Sequence, residues 1–217
     1  MRGAVMRGAD MIVVSDFDGT LTIEDATTFI WDKHLPYDWR ATLLPPTYDG
    51  RWTPLEMIAR GYGDIRVPPG ELLADLRSNV RLRPGVEALA TFCRGRGSHF
   101  SVVSNGLSFY IEALLPSWIP FTSFVGTFNE SCWRVALPAQ QALLPGEDFK
   151  TRVVADLRAR HPGRQVAYLG DGRLDLPAAL TCDRIFAVAG STLAELARAA
   201  GRPVEEFESL DEVAAVL

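Results

Sequence analysis

Four compact apolar runs, separated by helical patterns, constrain the fold of this chain more than any other feature. They lie at residues 11–15, 100–104, 166–169 and 185–188, and each has the length and composition of a buried strand. Apolar residues at helical spacing, for example from Val86 to Cys93, occupy the chain between the runs. This alternation predicts an α/β fold with a doubly wound parallel sheet covered by helices. Such sheets bind ligands at the carboxyl ends of their strands.

Size and charge limit the partners that the chain can have. A length of 217 residues suffices for one large α/β domain or for a core with a small appended domain. The net charge of −5 argues against nucleic acid as a main partner. The three cysteines are scattered and odd in number, which is typical of a protein from a reducing compartment. No apolar run has the length of a membrane span. We therefore expect a cytoplasmic protein with no membrane partner, and the sequence leaves the oligomeric state open.

The first ten residues, MRGAVMRGAD, have no apolar core of the length found in signal peptides. Their repeated Met-Arg-Gly-Ala resembles a duplicated start. We expect this segment to be poorly ordered.

A pair of carboxylates directly after the first apolar run is the strongest functional signal. Residues 15–20 read Ser-Asp-Phe-Asp-Gly-Thr, so Asp16 and Asp18 stand two positions apart at a strand end. On a straight strand their side chains would point to opposite faces, but Gly19 predicts a turn that lets them converge. Two neighbouring carboxylates are costly to bury unless they hold a cation or take part in chemistry.

Two further features follow the second predicted strand. Ser104, Asn105 and Gly106 come just past its end, before a helix predicted to begin near Leu107. Backbone N–H groups at such a place could bind an anion. Lys150 lies at the start of the next long helical pattern.

Two more carboxylates follow the third predicted strand. Asp171 and Asp175 belong to the segment Gly-Asp-Gly-Arg-Leu-Asp, and with Asp16 and Asp18 they form an all-oxygen ligand set of the kind that Mg²⁺ prefers. Each feature alone has an ordinary explanation: an Asp-Gly pair is usually a turn, a serine can cap a helix, and a lone lysine is usually solvated. Their order, always at strand ends or helix starts, favours one site.

Residues 24–80 interrupt the alternation of strands and helices. They are rich in aromatic residues and contain two Pro-Pro pairs, and helical patterns occur near residues 25–33, 55–60 and 70–78. We predict a small helical domain inserted after the first strand, with 1–23 and 81–217 forming the main domain. Its aromatic residues form either the insert's own core or part of a substrate pocket. A hairpin is predicted over 121–137.

Taken in order, the motifs resemble those of the haloacid dehalogenase-like superfamily, in its phosphatase branch. The segment 16–22, Asp-Phe-Asp-Gly-Thr-Leu-Thr, resembles the first motif, Ser104 the second, Lys150 the third and the segment 170–175 the fourth. The insert resembles the helical cap of the phosphoserine phosphatase-like subgroup. Within that subgroup, the first motif followed by Asp25 is similar to the methionine-salvage phosphatases of 2-hydroxy-3-keto-5-methylthiopentenyl-1-phosphate.

The resemblance implies a Mg²⁺-dependent phosphatase of a small phosphorylated metabolite. Asp16 would be the nucleophile that forms an aspartyl-phosphate, and Asp18 would be the general acid and base. Mg²⁺ would be held by Asp16, the backbone carbonyl of Asp18 and Asp171, with Asp175 close by or acting through water.

The resemblance also implies which residues bind the substrate. Ser104 and Lys150 would hold the phosphoryl oxygens. The other implied contacts to phosphate or substrate are Gly19, Thr20, Asp25, Asn105 and Gly106. The sequence departs from the subgroup at Asn105, where many members have glycine, so contacts at that point are open.

Several other classes of protein share part of this chemistry. A signalling receiver domain is also phosphorylated on Asp, but an acid and base such as Asp18 would speed loss of its phosphoryl group. A dehalogenase generally lacks the second Asp of the first motif, and a non-catalytic phospho-ligand binder has no need of all four motifs. A phosphoserine phosphatase remains an alternative, as does a phosphotransferase that passes the phosphoryl group to an alcohol. Asp25 stands where phosphoserine phosphatases usually have Glu, so we expect phosphoserine to be a poor substrate.

Overall fold

A seven-stranded sheet in the order β4-β3-β2-β1-β5-β6-β7 forms the centre of the protein. We describe it from a computed structural model that covers residues 11–217, so the expectation about the first ten residues lies outside the described range. The strands are β1 (Ile12–Ser15), β2 (His99–Leu107), β3 (Phe121–Asn129), β4 (Cys132–Ala136), β5 (Val166–Gly170), β6 (Arg184–Val188) and β7 (Glu205–Phe207). All neighbouring pairs are parallel except β3 and β4. The predicted α/β class with a parallel sheet is confirmed.

Ten α-helices accompany the described strands. They are α1 (Ala26–His34), α2 (Trp39–Tyr48), α3 (Pro54–Gly63), α4 (Pro69–Asn79), α5 (Val86–Gly95), α6 (Ser108–Leu114), α7 (Phe149–Arg160), α8 (Leu176–Leu180), α9 (Thr192–Ala199) and α10 (Leu210–Val216), with a 3-10 turn at Arg173–Asp175 before α8. In the main part of the chain, α5 packs with α10 and α7 packs with α8. No helix within residues 11–217 is long and apolar enough to cross a bilayer.

Strand β1 occupies the middle of the sheet and is buried along its whole length. It can be entirely apolar up to Ser15 because helices cover both faces of a parallel sheet. Its last residue, Ser15, pairs with Val102 of β2 and with Leu169 of β5. The residues that follow Ser15 and Leu169, and the residues that follow Val102 within β2, therefore lie side by side at one edge of the sheet.

The second strand is longer than the sequence predicts. Strand β2 continues to Leu107, and its pairing with β3 shifts register between Ser104 and Leu107. The Ser-Asn-Gly segment thus lies in an irregular part of the strand, not in a loop beyond it. The hairpin predicted over 121–137 is formed by β3 and β4, with Glu130 and Ser131 at positive φ in its turn.

Four helices, α1 to α4, lie between β1 and α5. Trp31 of α1 is at their centre and packs edge-on against Trp39 and Tyr62. Two chain segments link these helices to the sheet, and they run antiparallel to each other through a bridge between Thr22 and Leu82.

Candidate active site

Three carboxylates converge beyond the ends of β1 and β5. One oxygen from each of Asp16, Asp171 and Asp175 lies within 4.8 Å of the other two. Asp16 follows β1 directly, Asp171 follows β5, and Asp175 ends the 3-10 turn. Asp16 and Asp175 are buried, and Asp171 is half-buried. The donor set of this cluster is entirely oxygen, which suits a hard cation.

Lys150 joins two of these carboxylates. Its Nζ donates to Asp16 Oδ1 at 2.7 Å and to Asp175 Oδ1 at 2.6 Å. The lysine occupies the first turn of α7, and Asp148 caps that helix by accepting from the Thr151 N–H. Burial by itself would lower the pKa of Lys150, but the two carboxylates outweigh it and raise the pKa above the usual value. The lysine is therefore held as a buried cation.

Asp175 is saturated with hydrogen bonds. It accepts from Lys150, from the Tyr168 hydroxyl at 2.8 Å, and from the N–H groups of Asp171 at 3.1 Å and Gly172 at 2.9 Å. A carboxylate has about four lone-pair sites, so these donors leave little capacity for direct metal binding. Asp175 fixes the turn that carries Asp171 and holds Lys150 in place. Sequence reasoning missed Tyr168, which looks like one more apolar residue of β5.

The cluster carries more negative charge than Lys150 can offset. Burial and then Asp175 raise the pKa of Asp16 well above its usual range, against the opposing effect of Lys150. Burial, with Asp175 adding to it, raises the pKa of Asp171 to about 7, although the Thr20 hydroxyl donates to that carboxylate at 2.7 Å. A bound cation would favour the ionised form of both groups. The residues present therefore fit a divalent metal ion.

Asp18 is held apart from the cluster by different partners. Gly19, at a φ of +77°, turns the chain, and Asp18 then accepts from the Ala26 N–H at 3.0 Å and from the Tyr110 hydroxyl. Burial raises the pKa of Asp18 to about 8, and the charge of Asp25 adds to this, while the two hydrogen bonds oppose it. Tyr110 was missed in the sequence because a tyrosine within an apolar run is typical of a core position.

The segment Ser104–Gly106 lies against Asp18. The Gly106 N–H donates to Ser104 Oγ at 2.9 Å, so this N–H already has a partner. A Cβ at Gly106 would lie 1.8 Å from the Tyr110 hydroxyl and 2.6 Å from Asp18 Oδ2. Only glycine allows this close approach. The helix that follows, α6, begins at Ser108 and has seven residues.

The structure places the remaining predicted contact residues around the same point. Thr20 faces Asp171, as described above, and the Gly19 N–H donates to Thr22 Oγ1 at 3.1 Å. Asp25 caps α1 by accepting from the Thr28 N–H at 2.6 Å, and it also lines the cavity above the carboxylates.

Arg83 is a third residue that sequence reasoning missed, after Tyr168 and Tyr110. It donates through Nε to the Thr20 carbonyl at 2.7 Å, through Nη2 to the Gly19 carbonyl at 2.8 Å and through Nη1 to the Glu208 carbonyl at 3.1 Å. Arg83 thereby fixes the turn that separates Asp16 from Thr20. No motif marks it, because its partners are backbone atoms distant in sequence.

A cavity of about 210 Å³ rises from the carboxylates toward the inserted helices. Its floor contains the four aspartates, Lys150 and the segment Ser104–Gly106. Its walls are largely apolar and come from α1, α2 and α3: Trp31, Trp39, Leu44, Met57 and Ile58. At its mouth, the Arg173 guanidinium lies 4.9 Å from the Tyr48 ring centroid. The aromatic residues of the insert thus serve both as its core, as with Tyr62, and as cavity wall.

Comparison with known proteins identifies the family. Residues 13–180 match the model of the haloacid dehalogenase-like hydrolases. The chain belongs to this family. The resemblance seen in its motifs is therefore confirmed.

Two of the relatives that match along nearly their whole length are phosphatases. The chain is 25% identical to the polyol phosphate phosphatase of Saccharomyces cerevisiae, over 94% of this chain and 91% of that protein. It is 24% identical to the 2-hydroxy-3-keto-5-methylthiopentenyl-1-phosphate phosphatase of Brevibacillus brevis, over 95% of each. These relatives and the family confirm the predicted enzyme class, a phosphoric monoester hydrolase.

A solved structure has the same fold. The phospho-aspartyl intermediate analogue of a phosphoserine phosphatase superposes with a TM-score of 0.73 at 14% identity, covering 96% of this chain and 99% of that one.

Proposed function

We propose that this family member hydrolyses a small phosphomonoester with the help of Mg²⁺ and through an aspartyl-phosphate. One observation carries the proposal: two carboxylates after the same strand have opposite environments. Asp16 is hydrogen-bonded to a buried lysine, whose charge favours the ionised carboxylate, whereas Asp18 is hydrogen-bonded to a neutral hydroxyl and lies near the charge of Asp25, which favours the protonated acid. Such a pair is what a nucleophile and a general acid require. The solved phosphoserine phosphatase trapped as a phospho-aspartyl analogue supports the covalent step.

In the first step, an Asp16 carboxylate oxygen attacks the phosphorus atom and the bond to the leaving oxygen breaks. Asp18 donates its proton to that oxygen, so the product leaves as a neutral alcohol. In the second step, Asp18, now ionised, takes a proton from water, and the resulting hydroxide displaces the phosphoryl group from Asp16. Inorganic phosphate is released, and the carboxylate of Asp16 and the protonated form of Asp18 are restored.

Asp16, Asp171 and the backbone carbonyl of Asp18 would hold Mg²⁺. When bound, the ion supplies positive charge that offsets repulsion between the carboxylates and the phosphate dianion. Asp175 supports this set through Lys150 and through the N–H group of Asp171. Lys150 and the Ser104 hydroxyl would hold the phosphoryl oxygens during transfer, with Gly19, Thr20 and Gly106 shaping the surface around them.

We propose that residues 24–80 form a cap domain on a core of residues 1–23 and 81–217. The apolar wall of the cavity comes from helices of this segment, and its floor comes from the sheet. Closure of the cap would exclude bulk water during phosphoryl transfer. The segments 22–24 and 81–84, which bridge to each other, would be the hinge.

The cavity favours a leaving group with an apolar portion. Tryptophan, leucine and methionine side chains form most of the wall opposite the carboxylates. Asp25 is engaged as the cap of α1, so we expect it to be a weak partner for the ammonium group of phosphoserine. A small phosphorylated metabolite with an apolar portion, such as the enol phosphate named for the Brevibacillus brevis relative, should be a better substrate than phosphoserine.

The proposal is tested by phosphate release from a panel of sugar, polyol, enol and amino-acid phosphates in the presence of Mg²⁺. Asp16→Asn should abolish release while the protein stays folded by circular dichroism. Asp49→Asn, at an exposed site paired with Arg51, is the matched control and should keep full activity. Substantial activity in folded Asp16→Asn would refute the mechanism. Transfer of the phosphoryl group to an added alcohol, without release of phosphate, would identify a phosphotransferase.

A further inference from the structure

A chain of three hydroxyl groups joins the inserted helices to Asp18. The Tyr110 hydroxyl, on α6, donates to Asp18 Oδ2, and the Thr27 hydroxyl, in the first turn of α1, lies 3.0 Å from the Tyr110 oxygen. The Tyr62 hydroxyl, on α3, lies 3.5 Å from the Thr27 oxygen. All three residues are buried, and Thr27 lines the cavity. The chain therefore crosses from the inserted helices, which supply Thr27 and Tyr62, to the part of the molecule that carries Tyr110 and Asp18.

The direction of these hydrogen bonds follows from the number of protons available. A tyrosine hydroxyl has one proton, and Tyr110 donates its proton to the Asp18 carboxylate. The Tyr110 oxygen can then only accept, so the Thr27 hydroxyl is the donor in the contact between them. This donation occupies the Tyr110 oxygen and keeps the tyrosine proton directed at Asp18. The orientation of Asp18 thus depends on a hydroxyl that does not touch it.

Thr27 uses its hydroxyl differently from two other threonines of the inserted helices. Thr42 and Thr47, in α2, each donate at 2.8 Å to the carbonyl four residues earlier, a bond that threonine often makes within a helix. Thr27 is the second residue of α1, so the carbonyl four residues before it belongs to Ile23, outside the helix. The contacts of its hydroxyl within residues 11–217 are instead the two tyrosine hydroxyls.

Both carboxylate oxygens of Asp18 depend on the same turn of α1. The Ala26 N–H donates to Oδ1 at 3.0 Å, and Thr27 acts on Oδ2 through Tyr110. One hydrogen bond leaves a carboxyl group free to pivot, whereas bonds to both oxygens fix its plane. A general acid must lie within hydrogen-bond reach of the leaving oxygen, and a displacement of about 1 Å can cost about 100-fold in rate.

We propose that Thr27 is a positioning residue, which orients Asp18 for proton transfer to the leaving oxygen through the Tyr110 hydroxyl. This inference rests on the proposed phosphatase function, in which Asp18 is the general acid. The need for that proton depends on the substrate. An alkoxide is a strong base and requires protonation as it leaves, whereas 4-nitrophenolate leaves without it. Loss of the Thr27 hydroxyl should therefore slow the hydrolysis of alkyl phosphates selectively.

The test compares benzyl phosphate with 4-nitrophenyl phosphate, two substrates of similar size that differ in the basicity of the leaving oxygen. The ratio kcat/KM covers the steps up to the first phosphoryl transfer, so the later attack of water does not affect it. In Thr27→Val, kcat/KM for benzyl phosphate should fall by about tenfold or more, and that for 4-nitrophenyl phosphate should stay within about twofold. Thr27→Ser keeps the hydroxyl and should retain the wild-type preference between the two substrates.

A double-mutant cycle tests whether Thr27 acts through Tyr110. Tyr110→Phe should lower the relative kcat/KM for benzyl phosphate, and adding Thr27→Val should lower it no further, because the shared partner is already absent. Thr47→Val is the matched control, since it removes a buried threonine hydroxyl that is bonded to the Leu43 carbonyl. This variant should keep the wild-type preference.

An equal fall of kcat/KM for both substrates in folded Thr27→Val would overturn the inference and show that the residue has a structural role only. A wild-type preference in that variant would also overturn it, as would effects of Thr27→Val and Tyr110→Phe that multiply in the double variant. Absence of phosphate release from every phosphomonoester would instead refute the proposed function.

Discussion

At the scale of single residues, the hydrogen-bond partners of Asp16 and Asp18 determine how readily each carboxyl group ionises. The sequence places Asp16 and Asp18 at the end of β1, and the structure agrees, because a buried strand followed by Asp-x-Asp-Gly leaves few alternatives. The sequence alone does not reveal the roles of Tyr110 and Arg83. Both act across long sequence separations, and neither belongs to a local pattern that a sequence could display.

Tyr110→Phe should shift the pH dependence of catalysis. The Tyr110 hydroxyl donates to Asp18, which stabilises the carboxylate and lowers its pKa. Its removal should raise the pKa of Asp18, so the acid form persists to higher pH and the basic limb of kcat/KM moves upward. The measurement is a pH profile of kcat/KM at saturating Mg²⁺ for both proteins. A basic limb that stays in place or moves to lower pH would contradict the assignment of Asp18 as general acid.

Gly106→Ala should lower activity strongly. An added Cβ would overlap the Tyr110 hydroxyl and crowd Asp18, so Asp18, the proposed general acid, must move. A displacement of about 1 Å at a reacting group can cost about 100-fold in rate. Gly70→Ala is the control, because a Cβ there meets nothing within 4 Å. Both variants are assayed for kcat, and wild-type kcat in Gly106→Ala would show that this close packing is dispensable.

At the scale of elements, the apolar pattern locates most strands and helices within a few residues. Helix α2 escaped prediction because Pro45 and Pro46 lie inside it, where proline normally breaks a helix. Strand β7 has three residues, too few to show a period. The end of β2 lies beyond the position predicted from the sequence for another reason. The last residues of β2 pair irregularly with β3, and a local apolar pattern does not report pairing with another strand.

The contact between α1 and α3 depends on a glycine. A Cβ at Gly61 would lie 2.4 Å from the Trp31 ring, which lines the cavity. Gly61→Ala should therefore destabilise the protein by about 1–3 kcal/mol and raise KM. Gly63→Ala in the same helix meets nothing within 4 Å and should be neutral or slightly stabilising. Urea unfolding and steady-state kinetics on both variants test this, and equal stability of the two would contradict it.

At the scale of the whole molecule, the cluster of Asp16, Asp171 and Asp175 should make the thermal stability of the fold depend on bound metal. Mg²⁺ that binds the folded cluster and not the unfolded chain should raise the melting temperature, by an amount equivalent to about 2.7 kcal/mol at 100 times its Kd. EDTA should abolish activity. The melting temperature of Asp171→Asn should no longer rise when Mg²⁺ is added. Asp211→Asn is the control, and its melting temperature should still rise with Mg²⁺. Full activity in metal-free buffer would exclude the proposed role of Mg²⁺.

The crowding of these carboxylates also predicts that stability depends on pH when no metal is bound. The pKa of Asp171 is about 7 in the folded protein, above its value in an unfolded chain, so the folded state binds more protons. The ionisation of Asp171 should therefore reduce stability as the pH rises from about 4 to above 7. At pH 8 in EDTA, Asp171→Asn should melt above the wild type. A lower melting temperature for the variant would show that the repulsion is compensated elsewhere.

The inserted helices leave the sheet and return to it through two segments that pair at Thr22 and Leu82. Because the ends of the insert touch, a tight turn could join them directly and leave the path of the remaining chain unchanged. Loop closure costs only about 0.6 kcal/mol per doubling of length, so segments of very different size can be accommodated at this junction. The floor of the cavity, which carries the aspartates Asp16, Asp18, Asp171 and Asp175, and its apolar wall thus belong to separable stretches of sequence. Replacement of one contiguous segment could therefore reshape the wall of the cavity and leave the aspartates of its floor in place.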